Sequence, residues 1–133
     1  MAPADVRPPS DIDAQCMLRV TLAGTYRVFA MPGWTELIYN HITVRVPGTH
    51  SHFLINPFGL HYTEVTASHL VKVYVDGNVL DGSPHRVNPA GFVMHAAIHR
   101  AMPDAHCVMH DPLYRDQKGE RRLARRIGGP TCE

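Results

Sequence analysis

From about Ala14 to Met31, apolar side chains recur every fourth position: Leu18, Leu22, Tyr26 and Ala30, with Phe29 beside them. That period puts them on one helical stripe and predicts a helix packed against a core. Gly24 weakens the helix and Pro32-Gly33 ends it. The period then shortens to two. Ile38, Asn40, Ile42, Val44 and Val46 alternate with Tyr39, His41, Thr43 and Arg45, the pattern of a strand with one buried face. Asn40 is the polar exception on that face, and its amide either ties down a loop or faces a ligand. Pro47-Gly48-Thr49 predicts a turn, Ser51 to Asn56 a second strand, and Asn56-Pro57-Phe58-Gly59 a loop able to offer backbone amides to an anion. A short helical turn is expected around Glu64 to His69 with Thr66 as its cap, followed by a third strand over Leu70 to Val75. Asp76-Gly77-Asn78 reads as a hairpin turn returning Val79-Leu80 as a fourth strand.

The last patterned stretch runs from Asn88 to His110. Asn88 can accept from the first free amides of a helix, and Pro89 suits its first position, where no N–H is needed. Ala96, Ala97 and Ala101 favour that helix, and Pro103-Asp104 stops it. Ala105 to Met109 is an apolar run of interior-strand length closed by His110, a strand-end position where α/β folds often place their chemistry. The whole predicts an α/β arrangement, a mostly antiparallel sheet flanked by helices.

The termini differ in character. Residues 1–13 are rich in Pro, Ala and Asp and are expected to form a disordered arm. Residues 14–110 form the patterned domain. Residues 111–133 carry six Lys/Arg against four acids with few apolar positions, a divergent basic tail of the kind that is usually a solvated terminus.

Composition narrows the classes. A chain of 133 residues with a formal net charge of +1 makes no electrostatic case for nucleic acid or an anionic membrane. Cys16, Cys107 and Cys132 show no CxxC spacing, so neither a disulfide framework nor a zinc knuckle is indicated, and a cytoplasmic location is expected. No signal peptide and no membrane span is read. The ten histidines are unusual, and most are expected in loops or on the surface. His95 and His99 share a helix face, and His106 and His110 a strand face. A four-histidine zinc site needs those faces to converge, which nothing in the sequence requires.

Several segments together resemble the N-terminal part of the class II aldolase/adducin domain. They are Thr25-Tyr26-Arg27, Asn40-His41-Ile42-Thr43-Val44-Arg45, Phe53-Leu54-Ile55-Asn56-Pro57-Phe58-Gly59-Leu60, Glu64-Val65-Thr66-Ala67-Ser68, and Leu70-Val71-Lys72-Val73. The series continues through Gly91-Phe92, His95, Ala97-Ile98-His99, Ala101, Pro103-Asp104 and Cys107 to His110, and is more similar to the adducin-like branch than to the sugar-phosphate aldolases. The resemblance implies an incomplete α/β/α sandwich, usually assembled as a homo-oligomer. It also implies metal-dependent aldol cleavage or epimerisation of a small hydroxy-carbonyl compound, with zinc or another divalent metal polarising the carbonyl and an acid/base group moving the proton.

Carried over by position, His110 matches the first histidine of the family's His-x-His metal pair, and Asp111-Pro112 follow where the second ligand is expected. Gly91 stands where sugar-phosphate aldolases carry an acid/base glutamate, four residues before His95. Asn40, Asn56 and Gly59 correspond to substrate-binding positions, while Phe58 replaces an expected hydroxyl. The resemblance leaves His99 and His106 peripheral. The expected activity is therefore impaired aldolase chemistry in a domain truncated or frame-disrupted after His110. The alternatives are a non-catalytic adducin-like interaction module of the actin/cytoskeletal type, and an enzyme completed by a neighbouring subunit.

Overall fold

The structure, a computed structural model, describes residues 10–32 and 40–110, with the backbone alone at Asp11 and His110. The expected arm over 1–9, the approach to the first strand over 33–39 and the basic tail over 111–133 lie outside the described residues. Among the described residues, no helix is long and apolar enough to cross a membrane.

Helix α1 spans Asp11–Ala30, starting three residues before the apolar stripe predicts. The early start has a local cause. Ser10 accepts from the Asp13 amide at 3.2 Å while the Asp13 carboxylate takes the Ser10 amide at 3.1 Å, a reciprocal cap that satisfies otherwise orphaned donors. Among the described residues four strands follow: β1 His41–Arg45, β2 His52–Ile55, β3 Val71–Tyr74 and β4 Cys107–His110, with helix α2 over Pro89–Ala101 preceding β4. All pairings are antiparallel and the spatial order is β3-β2-β1-β4. The last strand is thus the terminal member of the described sheet rather than an interior one. The expected Val79-Leu80 strand contracts to one bridge, Val73 to Val79, beyond the turn at Gly77. The expected turn at Glu64–His69 is moved forward to a 3-10 turn at Tyr62–Glu64 capped by His61, with a further turn bond from the His69 amide to Thr66 O at 3.1 Å.

Alternation along the strands sorts side chains onto two faces. Leu54, Ile42, Val46 and Leu70 join Leu22 and Tyr26 of α1 with Tyr62 and Val65. Phe53, Ile55, Val71 and Val73 face the other way and pack with Ala96 and Phe92 of α2. The chain is therefore a helix–sheet–helix sandwich, and β1 corrects the expectation of a single buried face. His41, Thr43 and Arg45 are buried under α2 as fully as Ile42 and Val46 are under α1. Arg19 fixes the first layer to the second, donating to Leu70 O at 2.6 Å and pairing with Asp81 Oδ2 at 2.6 Å.

Candidate functional site at one end of the sheet

The strand registers bring the predicted site residues to a common end of the sheet. Val44 pairs with Leu54, so the start of β1 lies beside the end of β2, and His41 pairs with His110, so the end of β4 lies there too. Asn40 immediately precedes β1 and Asn56 immediately follows β2; both are buried, at 3% and 4% exposure. Gly59 sits in the next turn with φ of 89°, a conformation that disfavours any other residue, and with open space around it. The Phe58 amide donates to Arg86 O at 2.7 Å, tying this turn to the segment that leads into α2. Phe58 itself is exposed. His110 is the last residue of β4 and is placed by its backbone pairing.

Asn56 has a structural partner. One Tyr26 hydroxyl proton faces Ile42 O at 2.5 Å and Asn56 Oδ1 at 2.9 Å, while the Ile42 amide donates to the same hydroxyl oxygen at 3.0 Å. Burial, with the neighbouring Tyr62 adding to it, pushes the Tyr26 phenol well above its ordinary value. The helix α1 tyrosine thus holds the Asn56 end of β2 against the start of β1.

The most consequential contact at this end is one that sequence reading did not anticipate. His41 projects its ring over the first turn of α2. A Cβ built on Gly91 falls 1.7 Å from His41 Cδ2 and 2.1 Å from Nε2, far inside van der Waals contact. Gly91 is therefore glycine because the imidazole occupies the space of its side chain. The ring also meets His95 edge-on, with centroids 6.1 Å apart. The adjacency of an N-capping Asn-Pro to a glycine in the first helical turn was the available signal, since glycine there sacrifices helix propensity.

Behind this contact lies a buried polar network. Thr43 Oγ1 is 2.8 Å from His95 Nδ1 and 2.8 Å from His99 Nε2. A threonine hydroxyl has one proton and two lone pairs, enough to serve both rings, and Val108 O lies 3.5 Å from the same oxygen. Arg45 closes the network. Its guanidinium donates to Ala105 O at 3.2 Å, His99 O at 2.7 Å, Met102 O at 3.2 Å and the His50 carbonyl, and lies 3.3 Å from His99 Nδ1. Carbonyls at the C-terminal end of α2 are electron-rich and lack helical donors, so a cation there is well placed. Burial and then the Arg45 charge lower the His99 pKa from 6.5 to about 4, keeping the ring neutral at physiological pH. His99 also stacks on Phe53 with centroids 4.8 Å apart. His41, His95 and His99 are interior, and His99, expected to be peripheral, is a central part of the packing. His106 is exposed, as a peripheral position requires.

Of the metal set the resemblance implies, His110 is placed by its backbone alone. Among the described residues there is no group of three His, Cys, Asp or Glu side chains able to hold a metal ion. Position 91 carries no carboxylate, and the volume for one is filled by the His41 ring.

Comparison with known proteins agrees with this architecture. The profile of the family described as "Class II Aldolase and Adducin N-terminal domain" matches residues 20–111. The chain is 51% identical over 105 residues to a "Putative aldolase class 2 protein" of Caulobacter vibrioides, covering 79% of this chain and 40% of that protein. It is 55% identical over 96 residues to alpha-adducin of Rattus norvegicus, covering 71% of this chain and 13% of that protein. Among solved structures, an L-fuculose 1-phosphate aldolase from Glaciozyma antarctica PI12 superposes with a TM-score of 0.72 at 35% identity, covering 79% of this chain and 45% of the aldolase. An aldolase II superfamily protein from Pseudomonas syringae gives 0.70 at 45% identity, covering 80% and 41%. The chain thus spans less than half the length of these relatives. With the family profile spanning most of the chain and the helix–sheet–helix architecture in agreement, the chain belongs to the class II aldolase and adducin N-terminal domain family.

Proposed function

We propose that this chain carries the substrate side of a site descended from metal-dependent aldol cleavage or epimerisation of a small hydroxy-carbonyl compound, with the chemical step impaired. The observation that carries the reading is the meeting of Asn40, Asn56, the Pro57–Gly59 turn, the first turn of α2 and the end of β4 at one end of the sheet. In this reading Asn40, Asn56 and the Gly59 backbone contact the substrate, and His110 is the position for a divalent cation such as zinc. Zinc, when bound in the relatives' manner, supplies a Lewis acid for the carbonyl. Impairment follows from Gly91, which offers no acid/base group, and from Asp111-Pro112 after His110. The reading extends to a homo-oligomeric, cytoplasmic protein.

The test is cleavage of L-fuculose 1-phosphate by the purified full chain with added zinc, together with binding of the same compound by calorimetry. Weak binding with turnover about a thousandfold below that of an intact aldolase is expected from the missing acid/base group. Aldolase-like turnover sinks the impairment, and absence of binding sinks the substrate site.

A second reading, a non-catalytic adducin-like interaction module, is favoured by the ring that fills the carboxylate position and by the 55% identity to an alpha-adducin. Full retention of a partner interaction in an Asn40→Ala, Asn56→Ala variant supports that reading over the first.

A further inference from the structure

Position 91 is where the resemblance places the family's acid/base carboxylate, and the His41 ring is what lies there. We propose that residues 41 and 91 form a mutually exclusive pair that decides which chemical group this end of the sheet presents: an imidazole delivered by β1 or a side chain delivered by α2. The inference rests on the aldolase-derived reading of position 91, and it assigns the absence of the acid/base carboxylate to a specific residue on the opposite layer.

The argument begins with volume. His41 is 3% exposed, held between β1 and the first turn of α2, so its ring has little room to swing into solvent. Its Cδ2, Nε2 and Cγ lie 1.7, 2.1 and 2.7 Å from the point where any L-residue at 91 must put its Cβ. Real Cβ contacts do not occur at such distances, so even alanine forces the ring or the helix to move. The helix is poorly free to do so. Asn88 caps it at its start through the Ala90 amide at 3.1 Å, the Arg45 clasp grips its end, and Thr43 bridges two of its histidines. Phe92, next to Gly91, is stacked on Phe53 with centroids 5.9 Å apart. A side chain at 91 therefore meets a ring fixed on one side and a helix fixed on the other.

The chemistry follows from the volume. A carboxylate at 91 would add an anionic oxygen donor beside the end of β4, the composition that suits a hard or borderline divalent cation. With glycine at 91, the group offered there is an imidazole, and restoring the carboxylate requires removal of the ring first. Position 91 is thus closed to the family's carboxylate by an interior residue on β1.

The test is a double-mutant cycle on the full chain, with thermal unfolding as one readout and calorimetric titration with zinc alone as the other. Gly91→Ala and Gly91→Glu are expected to lower Tm by about 5–15 °C, the range for overpacking a well-filled site. In a His41→Ala background the same changes are expected to cost less than half as much. Adding Gly91→Glu to His41→Ala is expected to tighten zinc binding about tenfold over His41→Ala alone. Unchanged Tm for Gly91→Ala, or equal losses in both backgrounds, overturns the shared volume. Where Gly91→Glu fails to fold, the Gly91→Ala cycle gives the same decision. Equal zinc affinity with and without Gly91→Glu in the His41→Ala background overturns the chemical assignment. Unfolding is read without substrate, so failure of the fuculose-phosphate assay leaves this cycle standing, and failure of the cycle leaves that assay decisive for the aldolase reading.

Discussion

Thr43 Oγ1 lies 2.8 Å from His99 Nε2 in the layer between β1 and α2, and the same oxygen lies 2.8 Å from His95 Nδ1. One hydroxyl thus satisfies two buried imidazoles on successive turns of a helix. Thr43→Val keeps the shape and removes both bonds, leaving two buried ring nitrogens without their partner. The expected loss is about 2–4 kcal/mol of unfolding free energy, measured by urea denaturation. Thr43→Ser, which keeps the hydroxyl and gives up a methyl group, is expected to retain most of the stability.

His99 makes stability depend on pH with a definite sign. The unfolded ring takes a proton near 6.5 and the folded ring only at about 4. Between those values the unfolded state holds more protons, so stability rises with pH through the window and is lost as pH falls through it. The contribution is bounded at about 3 kcal/mol by the size of the shift. Urea midpoints measured from pH 4 to 7 are expected to show this slope, and His99→Gln to show it reduced by about one proton. An equal slope in the variant assigns the acid sensitivity to other groups.

Arg45 is a buried cation bonded to backbone carbonyls at His50, His99, Met102 and Ala105 and facing the His99 Nδ1 at 3.3 Å. Charge-assisted bonds of this kind are among the stronger ones, and their loss strands acceptors at the α2–β4 turn. Arg45→Met is expected to cost about 2–4 kcal/mol, from buried carbonyls left without a donor. Arg45→Lys, with a point charge in place of a planar fork, is expected to recover less than half of it. Hydrogen exchange at the Ala105 to Val108 amides reports the local loosening.

Tyr26→Phe removes the hydroxyl that joins Ile42 to Asn56, with an expected cost of about 1–3 kcal/mol in denaturant unfolding. Because burial holds the folded phenol above its ordinary value of 10, the unfolded state releases its proton first as pH rises. Stability therefore falls above about pH 10, and Tyr26 phenolate absorbance is expected only together with unfolding.

The elements with local signals were readable and those decided across layers were not. Asn88-Pro89 announces the start of α2, and its capping bond is present. The stripe through Leu18, Leu22 and Tyr26 identifies the buried face of α1, while the Ser10–Asp13 pair that starts it lies outside the stripe. His41, Thr43 and Arg45 read as an exposed polar face because alternation cannot distinguish solvent from a polar network under a second helix. Val79-Leu80 has strand residues but is held by a single bridge. Asn40, Asn56, Gly59 and His110 are distant in sequence, and only the β1–β2 and β1–β4 registers bring their backbones to one sheet end. The meaning of Gly91 is written far earlier in the chain, in the ring at position 41.

That last contact imposes a direction on how the domain can change. Trimming the His41 ring while Gly91 stays leaves a hole, a defect proteins survive at moderate cost. Enlarging residue 91 while the ring stays drives two sets of atoms into one place. A lineage passing between the two site chemistries must therefore alter the strand before the helix, and the reverse passage must empty the helix before the strand is filled. The two routes are one staircase, climbed and descended through the same intermediate, a chain with neither group in the gap.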